Sequence, residues 1–257
     1  MADADRRNFL TRLGIGASAA ILAGCDRISQ SAGGQEFLKK GADLAYRVQR
    51  LIAGRDALAP EFSKADIAPV FRANGTLDPD TDDYNAHVAG NFRDWRIKVA
   101  GLVEHSFELS MEELRAMPAR TQITRHDCVE GWSCIGEWTG APLRLILARA
   151  KPKENARYVV FHCADDMSSD GEEEQFYYES LDLIEAAHPQ TILAYDLNGK
   201  PLPVANGAPV RLRAERQLGY KMAKYVNGIE LVESLAHIRG GNGGYWEDQG
   251  YTWWAGI

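Results

Sequence analysis

Apolar positions change their period several times along the chain, and each change marks an expected element. Phe37, Leu38, Leu44, Ala45, Val48, Leu51 and Ile52 recur close to helical spacing, with Gly54 as a stop, and predict a packing helix. Residues 55–94 carry Asp, Asn, Gly and Pro turn chemistry with few apolar runs, so they read as an irregular segment wrapped over a core. Trp95, Ile97 and Val99 alternate with polar residues and predict a short strand ending at Gly101. Ser110 and Glu113 stand at the spacing of a reciprocal cap before a small helix closed by Pro118. Residues 143–150 read as helix, 158–162 as a buried strand and 181–187 as a short helix. Residues 192–195 lead a strand into a tight turn at Asn198-Gly199, and 210–212 and 225–232 supply two further strands. Strands outnumber helices without alternating strictly with them, which favours an α+β domain of mixed sheets over a doubly wound parallel sheet. The tail from Gly240 sets six glycines around Trp246, Trp253 and Trp254, so it is expected to be ordered although terminal.

Composition narrows the function classes. Of 257 residues, 45% are hydrophobic and 25% charged, which excludes disorder as the main state. A formal charge of -7 without a sustained basic cluster provides no footprint for nucleic acid. Residues 1–24 read as an export signal: Arg6-Arg7 precede an apolar run too short to span a bilayer, rich in Gly and Ala. Leu22-Ala23-Gly24-Cys25 resembles a bacterial lipobox, which makes Cys25 a candidate lipid anchor on a periplasmic protein. Twin-arginine signals resemble those of proteins that fold before export, often around a cofactor. Residues 25–67 then form a tether and helix, and 68–257 the main domain.

Cys128 stands beside His126 and Arg125 in the most unusual stretch of the chain, 125–143. Positive neighbours favour the thiolate, the form that ligates metal. Other readings stay open from the residues alone. Cys128 and Cys134 can form a disulfide in an oxidising compartment, or Cys128 can serve as a nucleophile with His126 as base. A closed zinc site lacks its ligands.

Cys128-Val129-Glu130-Gly131-Trp132-Ser133, followed by Trp138-Thr139-Gly140-Ala141-Pro142-Leu143, closely resembles the molybdenum-cysteine segment of the sulfite oxidase family. The similarity is greatest to its bacterial exported, methionine sulfoxide reductase-like branch. Residues 95–103, 193–199, 206–211 and 219–224 resemble further family segments in order, so about 68–257 is covered. The resemblance implies a sulfite oxidase-like α+β fold, a molybdenum-molybdopterin cofactor and Cys128 as the metal ligand. It implies pterin or phosphate contacts from Asn206, Arg211 and Lys224, joined by the backbone around Met222 and Ala223. Asn74, in Phe71-Arg72-Ala73-Asn74-Gly75, resembles an early pterin-contacting loop; the other reading makes Phe71 a core aromatic and Arg72 a solvated charge.

Glu130 lies two residues after Cys128, on the same side of an extended chain, and recurs in the reductase-like branch as a pocket-shaping residue. Arg125 or His126 is a candidate for binding an oxyanion or gating protons. Cys163 falls where that branch places a threonine near the pterin; a thiol is the weaker partner, so it reads first as a buried structural cysteine and only second as a cofactor contact. Seven acidic residues between Asp165 and Glu179 read as a solvated loop that repels anions or docks a basic redox partner. The implied reaction is oxygen-atom transfer, as S-oxide or N-oxide reduction, with sulfite oxidation as the enzyme alternative. A metal-free, lipid-anchored binding protein is the alternative of another class. No haem-attachment motif is present, so electrons are expected from a membrane haem b subunit or periplasmic cytochrome. A monomer is expected, because no room remains for the dimerisation domain of larger members.

Overall fold

The computed structural model describes residues 31–168 and 173–257. The expected export signal, the anchor Cys25 and the middle of the acidic run lie outside the described residues. The chain divides into two compact units, Met1–Ile52 and Ala53–Ile257. In the first, the described residues form α1 (Ala32–Ala53), which covers the helix expected there. No described helix is long and apolar enough to cross a membrane.

The second unit is built on two sheets, each of five strands. One runs β2 (Phe107–Ser110), β1 (Arg96–Gly101), β10 (Val226–Val232), β5 (Tyr158–Asp166), β6 (Phe176–Asp182). Only its β1–β10 pairing is parallel, which brings the late chain back beside the first strand. The other runs β3 (Arg120–Asp127), β4 (Ser133–Pro142), β7 (Ile192–Leu197), β8 (Lys200–Pro201), with β9 (Arg211–Arg213) also paired to β7. The mixed α+β expectation therefore holds, and the Asn198-Gly199 turn closes β7 onto β8 with both residues at positive φ.

Strand β7 shows how the second sheet is covered on two sides. Leu193 and Tyr195 join the large core with Ile97, Val99, Phe161 and Ile229, whereas Ile192 and Ala194 join a smaller cluster with Phe71, Trp138 and Leu202. Alternate residues face opposite ways, so one strand serves two cores. Helix α4 (Leu143–Ala150) buries Leu143, Ile146, Leu147 and Ala150, the helical spacing that predicted it.

Helix α2 (Asp82–Ala89) interrupts the segment read as irregular. Thr81 caps it by accepting from the Tyr84 amide at 3.2 Å, with Asp82 and Asp83 in the first turn. Only Tyr84 of this helix is buried, so no apolar period announced it. Helix α3 (Met111–Ala116) has the expected reciprocal cap: the Glu113 amide donates to Ser110 Oγ at 3.1 Å, and the Ser110 amide donates to the Glu113 carboxylate at 2.9 Å. Residues 53–67, grouped with the tether by sequence, bond to the second sheet: the Phe62 amide donates to Ile123 O at 2.8 Å, and Glu61 bridges Thr124.

The acidic run is not uniformly solvated. Its central Glu173 and Glu174 are exposed, but Asp165 ends β5 and Glu179 sits in β6, both buried. Glu179 meets the buried Lys221 ammonium, which also donates to Glu247 at 2.5 Å. Burial, then the neighbouring Glu247 charge, pushes the Glu179 carboxyl well above the usual range. Lys221 therefore joins β6, which α5 (Leu183–Ala186) follows, to α6 (Tyr245–Asp248) of the closing segment, which carries Glu247. The tail is ordered, as expected: Trp253 Nε1 donates to Ser180 Oγ at 2.9 Å, and the Leu218 amide donates to Ala255 O at 2.9 Å.

Lys221→Met is expected to cost about 3–5 kcal/mol, because it strands two buried carboxylates without their cation. Urea denaturation measures it. Pairing that change with Glu179→Gln is expected to recover part of the loss, since one stranded charge disappears.

Candidate active site

A cavity is lined by Asn74, Gly75, Thr76, Asp165, Met167, Tyr177, Arg211, Gly219, Tyr220, Met222, Lys224 and Trp246. Its walls come from distant parts of the chain: the loop before α2, the end of β5, β6, β9, the turn before β10, and α6. Lys224, in the turn before β10, holds the first of these. Its ammonium donates to Asn74 O at 2.8 Å, to Ala205 O at 3.1 Å and to Thr76 O. Tyr225 Oη adds a bond to Thr76 O at 2.9 Å. Burial first, then the Arg211 charge, brings the Lys224 amine down to about 7. Asp165 faces the opposite shift, pushed up by burial to about 6.

Asn74, so positioned, places its Nδ2 4.0 Å from Cys128 Sγ. Cys128 is 8% exposed and occupies the turn from β3 to β4. Its amide donates to Trp132 O at 2.9 Å and its carbonyl accepts from Gly131, whose φ of +87° suits glycine at the turn. The sequence placed Cys128 in a positive setting; the structure shows why that does not suffice. Burial raises the thiol and the Glu130 charge adds to it, against the backbone amides of Glu130 and Val129 and the Arg72 cation. The residue is therefore a thiol at neutral pH.

The two expected cationic neighbours lie on opposite faces of β3. Arg125 points outward and pairs with Asp127, its Nε 2.8 Å from Oδ1, away from the cavity. His126 is fully buried, with its Nδ1 3.1 Å from Arg213 Nη1 and its ring against Phe71 and Trp132. Burial, followed by Arg213, Arg211 and Lys224, holds its pKa well below the ordinary value, so it is a neutral imidazole. Gly219 has no room for a side chain, because a Cβ there would stand 2.4 Å from the His126 ring.

Glu130 is exposed on the outer side of the turn, accepting from Trp132 Nε1 at 2.7 Å, with Arg72 3.9 Å away and stacked over the Trp132 ring. Phe71 is a core aromatic, edge-on to Trp138, while Asn74 three residues later lines the cavity, so both readings of that loop apply to different residues. Asn206 is buried behind Arg211, its carbonyl accepting from Arg211 Nη1 at 3.0 Å. Met222 lines the cavity and its carbonyl accepts from Arg211 Nη2 at 3.1 Å; Ala223 belongs to the core. Cys163 is also in the core, on β5 opposite Val226. Cys128, Cys134 and Cys163 are all free thiols, and Cys134 Sγ lies 3.8 Å from Val70 O.

Asp165, Tyr177, Tyr220 and Trp246 were not foreseen as wall residues. Asp165 stood inside an acidic run that masked it, although its spacing of two from Cys163 on a strand was a usable signal. Trp246 needed the tail to fold back, which local pattern does not report.

Residues 85–237 match the family described as the oxidoreductase molybdopterin-binding domain. A putative protein-methionine-sulfoxide reductase subunit, YedZ1, of Azospira oryzae is 36% identical over 251 residues, covering 98% of this chain and 87% of that protein. The chain belongs to this molybdopterin-binding oxidoreductase family. The protein-methionine-sulfoxide reductase catalytic subunit MsrP of Xanthomonas campestris is 40% identical over 161 residues, which are 60% of this chain and 50% of that protein. The sulfane dehydrogenase SoxCD of Paracoccus pantotrophus shares the fold, with a TM-score of 0.50 and 23% identity over 58% of this chain and 40% of that one. The sulfite oxidase-like fold and the molybdenum-molybdopterin cofactor follow from family membership.

The residues present fit such a group. Arg211 Nε, Asn206 Nδ2 and Asp165 Oδ1 are buried polar atoms without a protein partner, two of them belonging to side chains of the cavity wall. Buried atoms of this kind call for an outside partner, and a guanidinium N–H with a carboxamide N–H near it suits an anionic, hydrogen-bond-rich ligand.

Two slopes in stability against pH are expected of the cofactor-free protein. Asp165 is raised in the fold from 3.8 to about 6, so the folded state holds its proton longer and stability falls as pH rises through that window. Lys224 is lowered from 10.5 to about 7, so the unfolded chain binds the extra proton and stability rises from pH 7 toward 10.5. Denaturant midpoints across pH are expected to lose the first slope in Asp165→Asn and the second in Lys224→Met.

Proposed function

We propose that this chain is the catalytic subunit of an exported enzyme that reduces S-oxides, with methionine sulfoxide as the substrate class. Support comes from one observation above all: a buried thiol, Cys128, stands beside a cavity whose wall presents unpartnered Arg211 and Asp165 atoms and ends in Lys224. The relatives' names supply the substrate class. Cys128 would ligate the molybdenum, and Asn206, Arg211 and Lys224, with the Met222 backbone, would hold the pterin and its phosphate. The bound group supplies a redox centre able to exchange an oxygen atom and two electrons.

The remaining tasks fall to the protein. Asn74 stands against the ligating sulfur and sets its surroundings. His126 is kept neutral and buried, so it adds no charge beneath the thiol. Glu130, Trp132 and Arg72 form a hydrogen-bonded, stacked trio on the outer side of the same turn, where an incoming sulfoxide would be oriented. The net reaction breaks one S–O bond and consumes two electrons and two protons, releasing a thioether and water. A separate haem protein of the membrane or periplasm delivers the electrons, and the enzyme is held at the membrane through Cys25 after twin-arginine export. Arg125, paired outward with Asp127, takes no part in binding on this reading. The metal-free alternative required a Cys128–Cys134 disulfide, and both sulfurs are free.

Protein exported by a host that makes molybdopterin is expected to contain near-stoichiometric molybdenum. Cys128→Ser is expected to lose it while retaining its circular dichroism spectrum. Reduced viologen should be oxidised on adding methionine sulfoxide. Ferricyanide reduction by sulfite, with no viologen turnover, would instead establish the opposite direction and defeat the proposal.

A further inference from the structure

Helix α1 carries a chemistry of its own. Phe37, Leu44, Val48, Leu51 and Ile52 follow one another at intervals of 7, 4, 3 and 1 residues, which places them on one stripe of a helix. They are exposed: Phe37, Leu51 and Ile52 at 76, 84 and 80%, Leu44 and Val48 at 62 and 44%. A stripe of this kind needs a cover in water. Lys39, Lys40, Arg47 and Arg50 lie off the stripe, against Glu36 and Asp43, so the helix carries four basic and two acidic residues. Lys40 and Arg47 project closest to its edge at 100° per residue, where long side chains reach back to headgroups while their stems lie along the apolar face.

We propose that α1 is a membrane-surface helix, lying in the interface of an anionic bilayer with the Phe37–Ile52 stripe inward and its basic residues among the phosphates. Charge complementarity selects this occupant. The chain from Gly54 onward carries 21 basic and 31 acidic residues, so it is repelled by anionic lipid, and attraction must be local to the helix. Its 22 residues include 6 formal charges and cannot cross a membrane, whereas a basic amphipathic helix of this length is the form that lies along one. The inference is independent of the proposed reaction and of any acyl chain on Cys25.

The test uses the full mature chain carrying Cys25→Ser, so that no lipid is attached, sedimented with vesicles of phosphatidylcholine alone or mixed with phosphatidylglycerol. Binding is expected with the anionic vesicles, weakened by added salt, and little with phosphatidylcholine alone. Leu44→Glu with Val48→Glu is expected to lower the bound fraction about tenfold. Lys40→Glu with Arg47→Glu should remove the preference for anionic lipid. Equal molybdenum content in all variants shows that the main domain has folded. Absence of binding to either vesicle, or binding indifferent to both double variants, overturns the proposal. So does a dimer in solution that the Leu44 and Val48 changes dissolve, which would assign the stripe to a second copy.

Discussion

A single buried ammonium organises the cavity. Lys224 presents its donors to three backbone carbonyls that belong to two separate loops, at 74–76 and 205. None of those carbonyls has a regular ladder to join, so a buried cation is the group that satisfies them together. Asn74 is placed beside Cys128 as a consequence, and the loop carrying it is closed over β9 and β10. The lowering of Lys224 by burial and by Arg211 is the cost of that arrangement, and an anionic ligand in the cavity would relieve it.

Around this point the interior is unusually polar. Arg213 is wholly buried and paired with Glu215, while both Arg211 and Arg213 lie over the face of Trp138, at 5.2 and 4.3 Å. The Glu215 carboxylate also accepts from Gln122 at 2.9 Å, so β3 and β9 are joined through side chains as well as through β4 and β7. Cation, carboxylate and ring here compensate one another, leaving Arg211 with an atom to offer. The neutral His126 completes the balance, because a further positive charge beside Arg213 would have no counter-ion.

Much of the candidate site was legible in the residues. Cys128, Arg211, Met222, Lys224 and Asn74 occur in spaced motifs, and the structure gathers Asn74, Arg211, Met222 and Lys224 about one cavity with Cys128 next to Asn74. Arg125 was legible only as a neighbour in sequence; strand alternation turned it outward and His126 inward. Cys163 and Ala223 are close in sequence to cavity residues but belong to the core. Strands β3 and β6 were harder to read, since they bury Gln122, Thr124, His126, Glu179 and Ser180, and an apolar alternation does not register buried polar groups.

Local sequence by itself determined the capped helix at Ser110, the Asn198-Gly199 hairpin and the apolar stripe of α1, because each depends on contacts a few residues apart. Tertiary structure decided what those pieces meet. The parallel return of β10 beside β1, the seating of Glu179 and Glu247 on Lys221, and the use of Lys224 to hold carbonyls some 150 residues earlier all join distant segments. Burial then set the charge states of Asp165, Lys224 and His126, and desolvation is a property of the folded surroundings, which no residue carries alone.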